Sequence, residues 1–457
     1  MTLTLNTDLV ARYDRSGPRY TSYPPATAFD AGFGESDYRG AAAASNGHLP
    51  SRPLSLYFHI PFCSTVCYYC ACNKIITANR SRAVPYLAAL EQELALQGQL
   101  FDSDRLVEQL HWGGGTPTFL SREQMSGLMD ATRRHFRLRD DDGGEYSIEI
   151  DPRTVTADDM GLLRGLGFNR VSLGVQDFDP QVQKAVNRIQ SEEQTLEVMA
   201  AAREQGFHSI GVDLIYGLPF QSATSFSVTL EKIISACPDR IAVFNYAHLP
   251  ERFKVQRQID ERALPPPEEK LRILALTIDR LQGAGYVYIG MDHFARPDDA
   301  LARALADGSL QRNFQGFSSH GQCDLVAMGI TAIGRVGDCY SQNLRDVDAY
   351  GDAVGAGRLP VQRGLVLDAD DRLRARVIAD LICHGAVYKS DVADDFDGYF
   401  ASELAALAPM EADGLVDVDG EAIRVLEPGR LLIRNICMVF DAYLARAPQR
   451  ERFSRAI

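Results

Sequence analysis

The chain has 457 residues, of which 46% are hydrophobic and 24% are charged, a composition typical of a folded protein with two or more domains. Acidic residues outnumber basic residues by 61 to 47, so the formal net charge is −14. This balance argues against a broad nucleic-acid-binding surface, and we predict no nucleic-acid partner.

The N-terminal residues show no targeting signal. Residues 1–10 contain neither a basic region nor an apolar core, and no apolar run of transmembrane length occurs later in the chain. The cysteines number nine, and an odd number outside a secretory context is typical of a reducing compartment. We therefore expect a cytoplasmic protein with no membrane contact.

Residues 1–52 are predicted to form an N-terminal arm. The pairs Gly17-Pro18 and Pro24-Pro25 interrupt any continuous helix across this region. The stretch between them, residues 19–23, is polar and aromatic, and its composition favours a strap on the protein surface.

From residue 53 the pattern alternates between strands and helices. Strands are predicted at 54–59, 107–112, 146–150, 170–176, 209–216 and 240–246, and helices at 83–100, 124–136, 158–166, 192–205 and 226–236. Such alternation implies parallel strands in βαβ units. Six units favour an α/β fold built on an incomplete (β/α)6 barrel, with a doubly wound sheet as the alternative. In barrels the chemistry collects at the carboxyl ends of the strands.

The rest of the chain is less regular. Residues 265–290 predict one more helix and strand, and residues 291–345 are predicted to be irregular, with the segment 313–316 either covering an active site or connecting domains. From residue 361, helices and short strands predict a small, mostly helical, winged-helix-like domain. The predicted division is an arm at 1–52, a barrel with a substrate-covering segment at 53–360, and a C-terminal domain at 361–457.

Four cysteines follow the first strand within ten residues. Cys63, Cys67 and Cys70 have the spacing Cys-x3-Cys-x2-Cys, and Cys72 follows after one further residue. Thiolates are soft ligands, suited to iron–sulfur clusters or zinc. Three of them on one short loop can hold a cube of iron and sulfur with one iron open, and Cys72 follows too closely to reach the same cube. The alternative, a zinc knuckle, lacks a second Cys or His pair.

Polar and small residues mark the other strand ends. The run 113–116, Gly-Gly-Gly-Thr, lacks the lysine of a phosphate loop but permits close approach of a ligand to the backbone; a tight turn is the structural alternative. Tyr69, immediately before Cys70, is an aromatic ring that can stack on a planar ligand group or only pack the loop. Glu149, Gln176 and Asp213 lie at or near strand ends, where side chains face either a ligand or solvent.

The cysteine triad resembles that of the radical S-adenosylmethionine (SAM) superfamily, in which SAM chelates the open iron. Longer segments resemble the oxygen-independent coproporphyrinogen III oxidase family, namely residues 17–24, 56–63, 111–118, 213–219, 290–295 and 434–438. The resemblance covers nearly the whole chain. Ala71 departs from it, since glycine is expected there. The related heme chaperones, a binding-protein alternative, share the triad but usually lack the arm and the equivalent of Cys72.

The resemblance implies specific roles for residues of this chain. Cys63, Cys67 and Cys70 would hold a [4Fe–4S] cluster. Tyr57, Gly114 and Glu149 would contact the cluster-bound SAM, with Ile333 nearby. A second SAM would be contacted by Tyr69, Gly115, Thr116, Gln176, Arg188, Asp213 and Ala247. As catalytic residues we predict Tyr57, Cys72 and Gln315, and we expect Gln315, Arg19 and the segment around Arg434 to close over the substrate.

The implied reaction is oxidative decarboxylation of two propionate side chains of coproporphyrinogen III to vinyl groups, which gives protoporphyrinogen IX in anaerobic heme biosynthesis. An unactivated β C–H bond is beyond side-chain acid–base catalysis, so a cofactor must carry the chemistry. One-electron reduction of SAM by the cluster would yield methionine and a 5′-deoxyadenosyl radical. The predicted partners are therefore a porphyrinogen and an unidentified electron donor, and we expect a monomer.

Overall fold

The computed structural model describes residues 3–13, 15–48 and 50–446. The last part of the predicted C-terminal domain, residues 447–457, lies outside the described residues.

The six predicted barrel strands are all present and parallel. Their bounds are β1 Leu54–Ile60, β2 Leu106–Gly114, β3 Glu145–Ile150, β4 Arg170–Gln176, β5 Ser209–Tyr216 and β6 Arg240–Asn245. Each strand pairs with the next one in the chain. The connecting helices are Ala83–Gly98, Arg122–His135, Ala157–Leu166, Pro180–Ala185, Glu192–Glu204 and Ala223–Ala236. Because the sheet does not close on itself, this is an incomplete barrel, and the predicted fold is confirmed.

The strands present different side chains to their two faces. In β4, Val171, Leu173 and Val175 are buried and belong to the apolar core, while the residues between them are only partly buried. The same alternation occurs in β3, where Ser147 and Glu149 are partly buried. Since successive strand side chains point to opposite faces, the polar set lines the barrel interior. The fold therefore places polar residues around an internal space.

The prediction of an irregular segment at 291–345 was wrong. The sheet continues there in both directions, in the order β7-β8-β6-β5-β4-β3-β2-β1-β9-β10-β11-β12. The added strands are β7 Val287–Gly290, β8 His293–Ala295, β9 Asp324–Met328, β10 Ile333–Val336, β11 Cys339–Asn343 and β12 Val361–Val366. Strand β9 is parallel to β1, and β12 extends the sheet past residue 360. The hairpin Gln311–Asn313 and Gly316–Ser318 and the helices Pro267–Gly283, Ala300–Asp307 and Val347–Gly355 complete this region.

The C-terminal part is small and mostly helical, as predicted. Its three-stranded antiparallel sheet has the order Ala386–Tyr388, Ala422–Val425, Val416–Val418. The helices beside it are Ala369–His384, Phe396–Tyr399, Ala401–Ala412, Ile433–Met438 and Ala442–Arg446. No helix among the described residues combines the length and apolar character that a membrane crossing requires.

The N-terminal arm is not the surface strap that its composition favoured. Its helices are Thr7–Tyr13 and Glu35–Asn46, and Tyr20 and Tyr23 between them are only 5% and 3% exposed. Both rings belong to the apolar cluster of the C-terminal part. The Tyr20 hydroxyl donates to Asp441 at 3.0 Å, and the Arg434 guanidinium donates to the Pro18 carbonyl at 3.0 Å. The arm is therefore packed against the C-terminal part of the chain.

Candidate active site

The cysteine loop lies at the carboxyl end of β1 and is held on two sides. The short strand Phe62–Cys63 pairs with Ile75–Ile76, which closes the loop at its base. The Tyr68 amide donates to the Val186 carbonyl at 3.0 Å. The Asn187 side chain donates to the Val66 carbonyl at 2.7 Å. These contacts fix the loop over the carboxyl ends of the parallel strands.

The loop thiols have distinct surroundings, and all nine cysteines of the chain are free. The Cys67 sulfur lies 3.6 Å from the Arg188 guanidinium and 3.9 Å from that of Arg153. Burial raises the pKa of Cys63 to about 11. A hydrogen bond from the Cys72 thiol, together with the Lys74 ammonium, lowers the pKa of Cys70 to about 6 despite burial.

The donor set fits an iron–sulfur cluster better than a single zinc ion. Among the described residues, no three His, Cys, Asp or Glu side chains converge on one ion position. A structural zinc site needs four such ligands around one point. A [4Fe–4S] cluster instead takes its thiolates at separate irons. Cys63, Cys67 and Cys70 can therefore supply ligands to a cluster, and the zinc interpretation loses its geometric basis.

A cavity of about 320 Å³ lies beside the loop. Six of the predicted site residues line it, although they span the chain from residue 57 to residue 333: Tyr57, Cys72, Gly114, Glu149, Gln315 and Ile333. We call it the first cavity. The strand ends of β1, β2 and β3, the cysteine loop, the 311–318 hairpin and the turn before β10 each contribute to its wall.

Glu149 is the charged group of the first cavity. Its carboxylate accepts from the Gly114 amide at 3.2 Å and lies 3.4 Å from His111 Nε2. The other ring nitrogen of His111 is 2.6 Å from the Ser147 hydroxyl, and its ring stacks on Tyr57 with centroids 5.8 Å apart. Burial opposes ionisation of Glu149, but the hydrogen bonds from His111 and Gly114 outweigh it and lower the pKa of the carboxyl. The cavity therefore presents a negative charge.

The glycine run allows the cysteine loop to approach β2 closely. Gly114 has φ +111°, and a Cβ there would lie 2.6 Å from the His59 ring. A Cβ on Gly115 would lie 2.7 Å from the carbonyl carbon of Pro61. The Gly115 and Thr116 amides donate to the Ile60 and Phe62 carbonyls, each at 2.8 Å. Glycine is thus required by contact with the chain itself as well as by the left-handed backbone.

Asp213 lies in an adjoining cavity of about 230 Å³ inside the barrel. This second cavity shares His111, Glu149 and Gln315 with the first. The Ser172 hydroxyl donates to Asp213 at 3.3 Å. Burial, and then the negative charge of Glu149, raise the pKa of Asp213 to about 7.

The other residues predicted for the second SAM lie between the cysteine loop and the ends of β4 and β6. The Arg188 guanidinium donates to the Gly174 carbonyl at 2.6 Å, and the Gln176 amide lies over the same glycine. Gln256 donates to the carbonyls of Tyr69 at 3.1 Å and Ala247 at 3.2 Å, so these two are neighbours. The Thr116 hydroxyl donates to the Cys63 sulfur at 3.5 Å, and Gly115 precedes it.

Arg19 and Arg434 line neither of these cavities. Together with Asp292 they line a separate cavity of about 30 Å³. The Arg19 guanidinium pairs with Asp292 at 2.9 Å, while Arg434 holds the arm through the Pro18 carbonyl. Of the three residues expected to close over the substrate, only Gln315 lies at the first cavity.

Sequence reasoning did not single out His111, Arg153 and Gln256. His111 lies two residues before Gly113 on β2, so the two residues lie on the same face of the strand. This alternation could have predicted that His111 lies beside the glycine run. Arg153 and Gln256 reach the cysteine loop from distant segments, and no local pattern marks them.

Comparisons with known proteins agree with this geometry. Residues 57–233 match the family model of the radical SAM superfamily, and residues 367–432 match that of the HemN C-terminal domain. The oxygen-independent coproporphyrinogen III oxidase of Pseudomonas aeruginosa is 53% identical, over 100% of this chain and 99% of the relative. The enzyme of the same name from Escherichia coli is 49% identical over 98% of each chain.

A solved structure extends the similarity to the three-dimensional fold. It is that of coproporphyrinogen III oxidase from Escherichia coli, described as a radical SAM enzyme, and it superposes with a TM-score of 0.92 at 47% identity. The superposition covers 97% of this chain and 100% of the other. Both parts of the chain, the cysteine loop and the overall fold thus agree, and the chain belongs to the oxygen-independent coproporphyrinogen III oxidase family of the radical SAM superfamily.

Proposed function

We propose that this protein converts coproporphyrinogen III to protoporphyrinogen IX without oxygen, by oxidative decarboxylation of two propionate side chains to vinyl groups. The observation that supports this most is the first cavity, which lies beside the cysteine loop and is lined by Tyr57, Glu149 and Gln315. A cavity beside the expected cluster, with one carboxylate that can bind a cation, suits SAM together with a substrate from which a hydrogen atom is taken.

Cys63, Cys67 and Cys70 would hold the [4Fe–4S] cluster, with Cys72 outside its ligand set. When bound, the cluster and SAM supply a carbon radical able to take hydrogen from an unactivated C–H bond. The chain contributes the surroundings. The Arg188 and Arg153 guanidinium groups lie beside the Cys67 sulfur, and the hydrogen bond from the Thr116 hydroxyl would stabilise the Cys63 sulfur as a cluster ligand.

The proposed contacts of the cluster-bound SAM are Tyr57, Gly114, Glu149 and Ile333. Glu149 would bind the SAM ammonium, since carboxylates form strong charge-assisted hydrogen bonds. The proposed contacts of a second SAM are Tyr69, Gly115, Thr116, Gln176, Arg188, Asp213 and Ala247. Each propionate would consume one SAM and release one carbon dioxide, with one hydrogen atom passing to 5′-deoxyadenosine and one electron entering and one leaving, so two SAM molecules would match two side chains.

Tyr57, Cys72 and Gln315 are the proposed catalytic residues because each faces the first cavity. Burial and the charge of Glu149 raise the pKa of Tyr57, so its phenol stays protonated. Its oxygen lies 3.2 Å from His59 Nδ1, which orients the ring. Gln315 occupies the tip of the 311–318 hairpin, where its amide can hydrogen-bond a substrate carboxylate. Cys72 would position substrate or relay a proton or an electron.

We further propose that the protein is a cytoplasmic monomer that receives electrons from a separate donor and binds no nucleic acid. The division into an arm at 1–52, a barrel at 53–360 and a C-terminal domain at 361–457 also stays a prediction. The HemN C-terminal family model, which begins at residue 367, supports a boundary in this part of the chain.

The test is anaerobic incubation of cluster-reconstituted protein with SAM, dithionite and coproporphyrinogen III. We expect protoporphyrinogen IX, with two methionine and two 5′-deoxyadenosine per product. Cys67→Ser, treated identically, is the control that lacks one cluster ligand. Heme binding without porphyrinogen turnover would instead support the chaperone alternative.

A further inference from the structure

The surface around the cysteine loop is basic, although the chain as a whole is acidic. Two segments contact the loop, 183–190 through Val186 and Asn187, and 252–258 through Gln256. Together with residues 63–82, which contain the loop, they hold eight Lys and Arg residues and no Asp or Glu. The composition of the whole chain would place about five acidic residues in the same length. These three segments therefore carry a net positive charge, although Glu251 directly precedes the last of them.

Several of these cations are free to meet a partner. Arg80, Arg82, Lys184 and Lys254 are exposed, and no ion pair joins them to another residue of the described chain. Arg257 is exposed and has a loose contact of 3.6 Å with Glu251. Ile189 is 72% exposed and follows the residues that contact the loop. We call these six residues the loop-side surface.

We propose that the loop-side surface docks an acidic, flavin-containing one-electron donor protein. This inference rests on the proposed function, which requires a reduced cluster. Unpaired cations attract and orient an acidic partner, and an exposed apolar side chain suits the centre of a small interface. Cys63 and Cys70 are partly exposed residues of the loop that this surface adjoins, so a docked donor would lie near the cluster ligands.

Only one electron passes between the two proteins. The reduced donor loses one electron, and the cluster bound at the cysteine loop gains it. No bond forms or breaks in this step, and no proton needs to move with the electron. The loop-side residues therefore need only to bring the two redox centres close together, and they need not take part in the chemistry at the first cavity.

The test uses full-length, cluster-reconstituted protein and purified flavodoxin, an acidic FMN protein, as the probe. The variant is Lys184→Glu with Lys254→Glu. The matched control is Arg137→Glu with Arg303→Glu, two exposed cations away from the loop: Arg137 pairs with the first residue of β2, and Arg303 lies on the helix whose N-cap Asp299 contacts the first residues of β5 and β6. We expect flavodoxin to bind the wild type and the control, with weaker binding at high salt. We expect the loop-side variant to associate at least about tenfold more slowly.

A second readout separates docking from catalysis. Cluster bleaching in stopped flow should slow about tenfold in the loop-side variant when reduced flavodoxin is the donor. The rate with dithionite, a small reductant that needs no docking surface, should not change. Equal flavodoxin binding by variant and wild type, or no binding by the wild type, would overturn the inference, as would equally tight binding of duplex DNA at this surface. If flavodoxin docks as expected but no porphyrinogen is converted, the proposed function fails and the docking surface stands.

Discussion

Replacing Glu149 by glutamine should weaken SAM binding without affecting the cluster. Within the described chain, Glu149 is the one carboxylate that lines the first cavity, and 45% of its side-chain surface is exposed. Glutamine keeps the shape of the side chain and an oxygen that can accept from the Gly114 amide. It removes the negative charge that the SAM ammonium would contact, and no other described residue of the cavity wall replaces that charge.

The size of the effect follows from the kind of bond that is lost. A hydrogen bond between charged groups contributes about 1.5–3 kcal/mol. The ligand would exclude water from the carboxylate, so we take a central value of about 2 kcal/mol. At about 1.4 kcal/mol for each factor of ten, SAM affinity should fall by about 30-fold.

The assay is equilibrium dialysis of SAM against anaerobically reconstituted protein, with iron content measured on the same samples. Glu108→Gln is the matched control, because this carboxylate lies on the neighbouring strand β2 but pairs with Arg139 at 2.9 Å, away from the first cavity. Wild-type SAM affinity in Glu149→Gln, at full iron content, would refute the assignment of Glu149 to the SAM ammonium.

Three further predictions concern the thiols, a second carboxylate and the core. Cys72→Ser should retain iron and SAM binding, whereas serine should abolish the visible cluster spectrum at Cys63, Cys67 or Cys70; an iron-poor Cys72→Ser would make Cys72 a ligand. SAM binding should strengthen as pH rises through about 7, where Asp213 ionises, and calorimetry should find this step absent in Asp213→Asn. Burial raises the pKa of Glu93 to about 7 from 4.5, so the folded chain holds this proton more tightly than the unfolded one. As the pH rises from 4.5 to about 7, the unfolding free energy of the wild type should fall by roughly 3 kcal/mol. Denaturant titrations should show this fall in the wild type and not in Glu93→Gln.

The barrel strands could be predicted because their signal is local. In β4 the apolar residues Val171, Leu173 and Val175 alternate with polar or small ones, and a glycine ends the helix before the strand. Such alternation specifies both the strand and the side chains that face the barrel interior. For the same reason Glu149 and Asp213 could be predicted as inward-facing residues before any coordinates were known.

Strand β9 could not be predicted in the same way. All five of its residues, Asp324–Met328, are buried, so the strand shows no alternation between two faces. Its place in the sheet depends on pairing with β1, about 270 residues earlier in the chain. Arg105 neutralises the buried Asp324 at 2.6 Å, which allows a carboxylate at that position. None of these partners lies within the window that a local pattern can use.

The site residues also differ in whether their contacts are local in the sequence. The cysteine spacing predicts a cluster from a single loop, because all of its ligands are local. Gln256 contacts the Tyr69 carbonyl across 187 residues, and Arg153 contacts Cys67 across 86 residues. These contacts exist only because parallel strands bring their carboxyl ends together. Sequence reasoning thus found the residues with unusual chemistry and missed those that hold them in place.

Glu93 connects the core to the turn that lines the first cavity. It lies on the helix Ala83–Gly98, which follows the cysteine loop, and its carboxylate accepts from the Gly329 amide at 2.7 Å and from Asn343 and Tyr350 at 2.6 Å each. Gly329 begins the turn that leads to Ile333 on the wall of the first cavity. All three partners donate, and these hydrogen bonds favour the carboxylate, but burial outweighs them and raises the pKa of Glu93. The helix Ala83–Gly98 is therefore connected to the cysteine loop by the preceding chain and to the turn at Gly329 by the Glu93 carboxylate. A substitution in this buried network should alter SAM binding although none of its residues lines the cavity.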